Sequence, residues 1–215
     1  MYLTSKDLEN TERLRRLNLI NSVTGIKPAN LIGTVSNQQQ TNLAIFSSVV
    51  HLGSNPALLG FVLRPDRDAG QHTYENIRES GFYTINHVHD GFIEQAHYTS
   101  AKFKREESEF EQCRFTEEYL FDFTAPFVKE SRLKLGMKFL QALPIELNGT
   151  LLVIGQVEHV VVPDEAVDEQ GHIDLSAVND VGISGLNSYY KLEKLAQFPY
   201  ARPQTMPDFS AKTDA

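Results

Sequence analysis

Residues 31–63 read LIGTVSNQQQTNLAIFSSVVHLGSNPALLGFVL. Short runs of β-branched, aromatic and other apolar residues alternate here with polar or Gly/Pro-containing breaks, which is typical of consecutive strands. Strands are expected over residues 31–36, 42–52 and 57–63. The glutamine-rich residues 37–40 predict a hairpin tip, and residues 53–56 predict a loop. This segment therefore predicts a fold built mainly from paired strands.

The rest of the chain continues the pattern. Further strands are predicted over residues 82–88, 127–133, 138–147 and 150–162. Asn148-Gly149 is a strong hairpin signal between the last two. Helices are predicted over residues 5–18, 73–80 and 93–100, and the charged residues 104–118 are expected at the surface. Many short strands with few helices between them favour an antiparallel barrel or sandwich. No GxGxxG or GxxxxGKS/T motif supports a Rossmann or P-loop fold.

Size and charge restrict the classes of protein. The chain has 215 residues and a formal net charge of -8, which suits a single globular domain over residues 1–215 with an N-terminal helix and a C-terminal extension at about 199–215. The acidic surface argues against nucleic acid as the main partner, because phosphate backbones attract clustered Lys and Arg. The single cysteine, Cys113, excludes an internal disulfide. Without a signal peptide or a long apolar run, we expect a cytoplasmic protein with no membrane partner.

The first candidate binding segment is residues 41–49, in which Thr41, Asn42, Ser47 and Ser48 stand among apolar residues. Hydroxyl and amide groups at this density can hydrogen-bond phosphate oxygens or the edge of a heterocycle. A half-buried strand with outward polar positions explains the same residues, so both interpretations stay open. Because Ser47 and Ser48 are adjacent, they face opposite sides of a strand, and one of them needs an inward partner.

The second candidate segment runs from Arg64 to Thr73. A strand ends in Arg64, a turn-rich loop follows, and a helix begins with Thr73 as its N-cap and stops at Gly81. The N–H groups at such a helix start attract anions, and Arg64 and Arg67 can add charge-assisted contacts to a phosphate. The alternative is a solvated Arg-Asp loop followed by an ordinary capped helix.

Three other features are weaker. Five histidines invite a metal interpretation: His51, His72, His87, His89 and His97. Their spacing places no third ligand and no HExxH occurs, so no metal site is predicted. Cys113 lies in a charged stretch without a nucleophile motif, and no catalytic residue is identified. The segment GISGLNSYY at residues 182–190 has two tyrosines that either cover a planar ligand or pack on the barrel.

Taken together, these segments resemble the flavin reductase-like members of the FMN-binding split-barrel superfamily. The resemblance is carried by residues 31–65, by HTYENIRESGFYTINHV at residues 72–88, and by GLNSYY at residues 185–190. It covers roughly residues 27–203, and the order and combination of the motifs carry it. The chain departs from many relatives in having a glutamine run in place of a hairpin glycine, and Asn55-Pro56 in place of Pro-Pro.

The resemblance implies an antiparallel Greek-key split β-barrel with a few short flanking helices. It also implies a homodimer that binds FMN, or FAD, near the subunit interface. By position, the residues expected to line the flavin are Asn42, Ala44, Phe46, Ser47, Ser48 and Val49. Arg64, His72 and Thr73 are expected near the phosphate, with Asn76 fixing that loop. Tyr190 or Tyr189 is expected to close the site.

The resemblance implies an FMN-containing oxidoreductase in which NAD(P)H passes hydride to the flavin and the electrons continue to another acceptor. The cofactor carries this chemistry, so the absence of a catalytic triad motif is compatible with it. The rival hypothesis is a flavin-binding electron carrier or storage protein without NAD(P)H activity. A barrel that binds no flavin and acts in protein interactions is a third class.

Overall fold

The computed structural model describes residues 1–64 and 72–209, and its main feature is a seven-stranded antiparallel sheet. The described strands are β1 (Lys27–Pro28), β2 (Asn30–Val35), β3 (Thr41–Phe46), β4 (Val50–Ser54), β5 (Ala57–Leu63), β6 (Phe82–His87), β7 (Glu117–Glu118), β8 (Phe127–Val128), β9 (Lys134–Ile145), β10 (Thr150–Val161), β11 (Val181–Ser184) and β12 (Ser188–Lys191). The described α-helices are α1 (Ser5–Asn10), α2 (Arg13–Ser22), α3 (His72–Ser80), α4 (Ile93–Tyr98) and α5 (Glu109–Gln112). The prediction of a mainly β, antiparallel fold with a few short helices is confirmed.

The sheet curls until its two ends approach each other. Its strand order is β3-β2-β6-β9-β10-β5-β4, so β3 and β4 are the edges. Between these edge strands, Ser48 donates a hydrogen bond to the Val62 carbonyl of β5 (3.0 Å) and accepts one from the Val62 N–H (3.1 Å). The Phe46 and Phe61 rings pack with their centroids 5.0 Å apart. The sheet is therefore a barrel that stays split along β3.

The bounds of several strands differ from the sequence-based expectation. The predicted strand over residues 42–52 is two strands, because Ser48 hydrogen-bonds to β5 instead of continuing a ladder from β3 into β4. The predicted strand over residues 127–133 is reduced to β8. There the N–H of Val128 bonds to the Asn86 side chain (2.9 Å). The hairpin at Asn148-Gly149 is confirmed between β9 and β10.

Apolar side chains pack on both faces of the curled sheet. A cluster that includes Ile32, Phe61 and Tyr83 fills the interior of the barrel. A second cluster, which includes Leu31 and Phe110, packs the opposite face under α4, α5 and β11. Leu31 and Ile32 are neighbours on β2, and successive strand residues point to opposite faces. One central strand thus supplies both clusters.

The segment over residues 104–118, expected at the surface, is partly buried instead. Helix α5 begins at Glu109, and both Glu109 and Phe110 are buried. Cys113 and Phe115 follow them into the same apolar cluster. The polar residues between them take the outward positions. The high charge of this segment therefore gives no sign that some of its residues pack into the core.

The chain ends contribute little to the core. The single predicted helix over residues 5–18 is divided into α1 and α2, because Glu12 accepts hydrogen bonds from the N–H groups of Leu14 and Arg15 and starts a new helix. Neither helix contains a buried residue. Residues 192–209 follow β12 without a strand or α-helix. Within the described residues, no helix combines the length and apolarity needed to cross a membrane.

Candidate functional site

A cavity of about 700 Å³ lies beside the open edge of β3. Its walls come from β3, the end of β5, the start of α3, the end of α2, residues 97–103 and the turn at residues 186–187. Ligand cavities in proteins usually measure about 300–1,000 Å³, so this one can hold a cofactor-sized molecule. Eight of the eleven residues predicted to bind a cofactor line it: Asn42, Ala44, Phe46, Ser47, Ser48, Arg64, His72 and Thr73.

The β3 edge offers peptide groups to the cavity. The N–H of Leu43 donates to Oε2 of Glu109 (2.9 Å), so this residue turns its peptide groups away from β2. In an antiparallel ladder the outward direction repeats every second residue, so Ile45 also directs its N–H and C=O to the open side. Ile45 lines the cavity. Apart from the Leu43 N–H, which Glu109 accepts, the edge thus presents backbone donors and acceptors to a planar heterocycle placed beside it.

One wall joins β3 to the start of α3. Asn42 donates from Nδ2 to the Thr73 hydroxyl (3.0 Å), and both side chains are buried. Thr73 is not the N-cap that the sequence predicts, because the helix already begins at His72. Gly81 ends the helix with a positive φ of 76°, as predicted. Residues 65–71 of the predicted phosphate loop, with Arg67, lie outside the described residues.

A pair of cations lies at one end of the cavity. Arg64 donates from Nη2 to Oδ1 of Asn21 in α2 (2.9 Å). Lys27 donates from Nζ to the carbonyls of Asn21 and Gly185, both at 2.9 Å. Burial, and then the positive charge of Arg64, lower the pKa of Lys27. Among the described residues, neither Arg64 nor Lys27 forms an ion pair. Both side chains instead donate hydrogen bonds to neutral oxygen atoms.

Sequence reasoning missed Asn21, Lys27 and Glu109 as cavity residues. Asn21 and Lys27 come from outside the segment with polar motifs. In the sequence, Asn21 is simply a polar residue near the end of a helix, and Lys27 is simply a lysine before Pro28. Glu109 is one acidic residue among several in its segment. Only the folded chain brings these three to β3 and Arg64.

Three predicted cofactor residues do not line the cavity. Val49 packs against the apolar interior of the barrel. Asn76 is buried and donates from Nδ2 to the Thr34 hydroxyl (3.1 Å), which ties α3 to β2. The expectation that Asn76 fixes the preceding loop stays a prediction, because residues 65–71 lie outside the described part of the chain. Tyr190 is 50% exposed and is not part of the cavity wall.

The tyrosine on the cavity side of β12 is Tyr189. It pairs with Ile183, which lines the cavity, and directly opposed strand residues share a face. Its hydroxyl lies 3.1 Å from Nδ1 of His97, another cavity residue. Burial raises the pKa of Tyr189 to about 12, so its hydroxyl keeps its proton at neutral pH. Tyr190 points to the other face because it is the next residue along the strand.

The histidines do not gather into a metal centre. In the described part of the chain, no group of three His, Cys, Asp or Glu side chains is placed to hold a metal ion. His87 instead pairs with Asp180 at 2.6 Å. His89 caps the turn after β6 by accepting from the Gly91 N–H (3.0 Å). Cys113 is buried, and burial together with the charge of Glu109 raises the pKa of its thiol to about 11.

Comparison with known proteins identifies a matching family. The family described as "flavin reductase like domain" matches residues 26–177, which include β3, α3 and the cavity residue Glu109. An uncharacterised protein of Halalkalibacterium halodurans is 29% identical over 171 residues, covering 77% of this chain and 81% of that protein.

Solved structures show the same architecture. A candidate flavin reductase with a split barrel domain from Shewanella frigidimarina NCIMB 400 is 51% identical, with a TM-score of 0.90 over 94% of this chain and 100% of that chain. An FMN-binding protein from Thermus thermophilus has a TM-score of 0.67 at 15% identity, covering 81% of this chain and 90% of that chain. At this lower identity the likeness concerns the fold, which is the split barrel.

Proposed function

Because the chain belongs to the flavin reductase-like domain family, we propose that it is an FMN-binding flavoprotein oxidoreductase that takes its electrons from NAD(P)H. Family membership supports a flavin as the cofactor and oxidoreductase as the class. The observation that carries the assignment to this chain is the cavity beside β3, since eight residues predicted for the flavin share its wall.

The cavity wall has suitable chemistry for the ring and ribityl chain. The outward peptide groups of Ile45 match a heterocycle edge that alternates acceptors with an N–H donor, while the Leu43 N–H is already donated to Glu109. Ala44 is small and leaves room, and Phe46 adds an aromatic surface. The Ser48 hydroxyl is engaged on both sides by Val62, so it holds the β3–β5 junction.

The cations suit a phosphate. Arg64 and Lys27 stand together without a carboxylate partner among the described residues, and an FMN phosphate would relieve their mutual repulsion. His72 and Thr73 add the first turn of α3, where free N–H groups favour an anion. These donors suit the phosphate of FMN. The phosphate is the group that distinguishes FMN from riboflavin.

When bound, a flavin would supply the redox chemistry between a reduced nicotinamide and another acceptor. The residues of this chain would position the flavin and shield it from solvent. The Ile45 N–H on the open edge of β3 would stabilise negative charge on a ring placed beside it. His97 in the cavity wall is held by the Tyr189 hydroxyl, which lies 3.1 Å from its Nδ1.

We further propose a homodimer with the flavin close to the subunit interface. Helix α2 buries none of its residues, and Leu14 in it and Val23 directly after it are each more than 60% exposed. Its Ile20 lines the cavity. Exposed apolar side chains beside an open cavity suit coverage by a second copy. Light scattering on an eluting column peak tests this proposal, and a monomer at micromolar concentration would reject it.

An absorption spectrum of the pure protein, before and after addition of NADH or NADPH, tests the main proposal. The expected result is a flavin spectrum, native or after loading with FMN, that bleaches with one of the two nicotinamides. A flavin spectrum inert to both supports a carrier or storage protein instead. A protein that binds neither FMN nor FAD contradicts every flavin-based function.

A further inference from the structure

Glu109 is a buried carboxyl in the wall of the proposed flavin cavity. Its side chain lies at the β3 edge, and the residue is 7% exposed. Oε2 accepts the Leu43 N–H at 2.9 Å. Carboxyl groups are almost never this buried without a cation, and the described residues form no ion pair with Glu109. Within the part of the chain that the structure describes, the carboxyl therefore has one side-chain hydrogen bond, to the Leu43 N–H, and no ion-pair partner.

The position of this carboxyl is set by the residues around it. Ser108, the residue before it, bonds through its hydroxyl to the Thr41 hydroxyl (2.8 Å). Thr41 in turn donates to Glu117 in β7 (2.6 Å). Phe110, the residue after it, is buried in the outer apolar cluster. Glu109 is therefore held against β3 from both sides.

The surroundings of Glu109 favour its neutral form. Burial raises its pKa, and the Leu43 N–H and its own N–H oppose this only in part. The nearest titratable neighbour on its own helical turn is Cys113, whose thiol pKa the Glu109 charge also raises. The other titratable groups among the described residues of the cavity wall are His72, His97, Lys102, Lys27 and Arg64. Strand β3 itself contributes no titratable group.

We propose that Glu109 takes up a proton from solvent when a flavin fills the cavity, so that flavin binding is coupled to protonation of this carboxyl. This inference rests on the proposed function. A planar ligand beside β3 would displace water from the cavity that Glu109 lines, and desolvation disfavours the charged form. The neutral acid also avoids the repulsion that a buried carboxylate would exert on an anionic ligand.

The coupling has a definite sign. Ligand binding raises the pKa of Glu109, so binding is strongest at pH values below the pKa of the free protein. Affinity falls as pH rises through the interval between the free and the bound values, and then stays level. If the pKa rises by one unit on binding, the affinity changes by up to about tenfold across this interval.

Riboflavin is the appropriate probe because it lacks the phosphate, which titrates near neutral pH. Its dissociation constant is measured with flavin-free protein from about pH 4 to pH 8, and proton uptake is measured by calorimetry in two buffers of different ionisation enthalpy. Glu109→Gln keeps an oxygen for the Leu43 N–H and cannot ionise. Glu111→Gln is the matched control, since Glu111 lies on the same helix and is exposed.

Wild type and Glu111→Gln are expected to take up part of a proton and to bind riboflavin less tightly as pH rises. Glu109→Gln, which cannot ionise at this position, is expected to lose this decline of affinity with rising pH. His72 and His97 remain in both proteins, so their contribution cancels in the comparison. Identical pH profiles and proton uptake in wild type and Glu109→Gln would overturn the inference while leaving flavin binding intact. Failure of every variant to bind riboflavin or FMN would overturn the proposed function, and the inference with it.

Discussion

Replacing Arg64 by alanine separates recognition of the FMN phosphate from recognition of the ring. Arg64 lies at the cation end of the cavity and bonds only to the neutral Asn21 side chain among the described residues. If it meets the phosphate, Arg64→Ala weakens FMN binding and leaves riboflavin binding unchanged, because riboflavin carries the same ring and ribityl chain without the phosphate.

The size of the effect follows from the geometry. A hydrogen bond to a charged group contributes about 1.5–3 kcal/mol, and about 1.4 kcal/mol corresponds to a tenfold change in affinity. Arg64 is exposed, so solvent and salt screen it and the lower end applies. We expect FMN to bind about tenfold more weakly and riboflavin to change less than about twofold. Lys27 remains in the variant and retains part of the phosphate affinity.

Fluorescence titration with both flavins, at low and at high salt, measures this difference. Arg64→Lys is expected to keep part of the FMN affinity, since it keeps the charge but loses the planar donor set. Arg132→Ala removes an exposed arginine that does not line the cavity and serves as the matched control. Equal losses for FMN and riboflavin, or no loss for either, would refute the assignment of Arg64 to the phosphate.

Three further predictions concern the frame around the site. Gly155→Ala would place a Cβ 2.3 Å from the Tyr83 hydroxyl and is expected to destabilise the fold by about 1–3 kcal/mol in urea titrations. The control Gly53→Ala meets nothing closer than 3.5 Å, and an equal loss there would reject the steric argument. Asn86→Ala removes a fully buried amide with three hydrogen bonds and is expected to lower the free energy of unfolding by about 2–4 kcal/mol. The riboflavin affinity of the folded variant is expected to stay unchanged. A selective loss of affinity would contradict this structural role. The thiol of Cys113, with its pKa raised to about 11, is expected to react with a disulfide reagent at pH 8 about two orders of magnitude more slowly in the folded than in the unfolded chain, and similar rates would contradict its burial.

The strands were predictable because their signals are local. The hairpin tip at residues 37–40 and the turn at Asn148-Gly149 mark where the chain reverses, and the apolar runs between such breaks became strands. The break at Ser48 was not predictable in this way. It depends on hydrogen bonds to Val62, and that pairing exists only when the sheet has curled.

The candidate site was predictable only in part, for the same reason. Asn42 and Arg64 were identified from the order of motifs, and the structure brings both to one cavity. Of the two tyrosines expected to close the site, the structure brings Tyr189 to the cavity residue His97, since strand alternation directs Tyr190 to the other face. Glu109 was missed because a single glutamate in an acidic segment gives no sign that it will be buried.

The sequence by itself determined the fold class, the family and the half of the site that lies along residues 42–48. These depend on side-chain periodicity, turn chemistry and motif order, which are properties of neighbours in the chain. The tertiary structure decided which residues complete the cavity. Lys27, Asn21 and Glu109 reach it across separations of many residues, and only the curled sheet and the helices packed on it bring their side chains to β3 and Arg64.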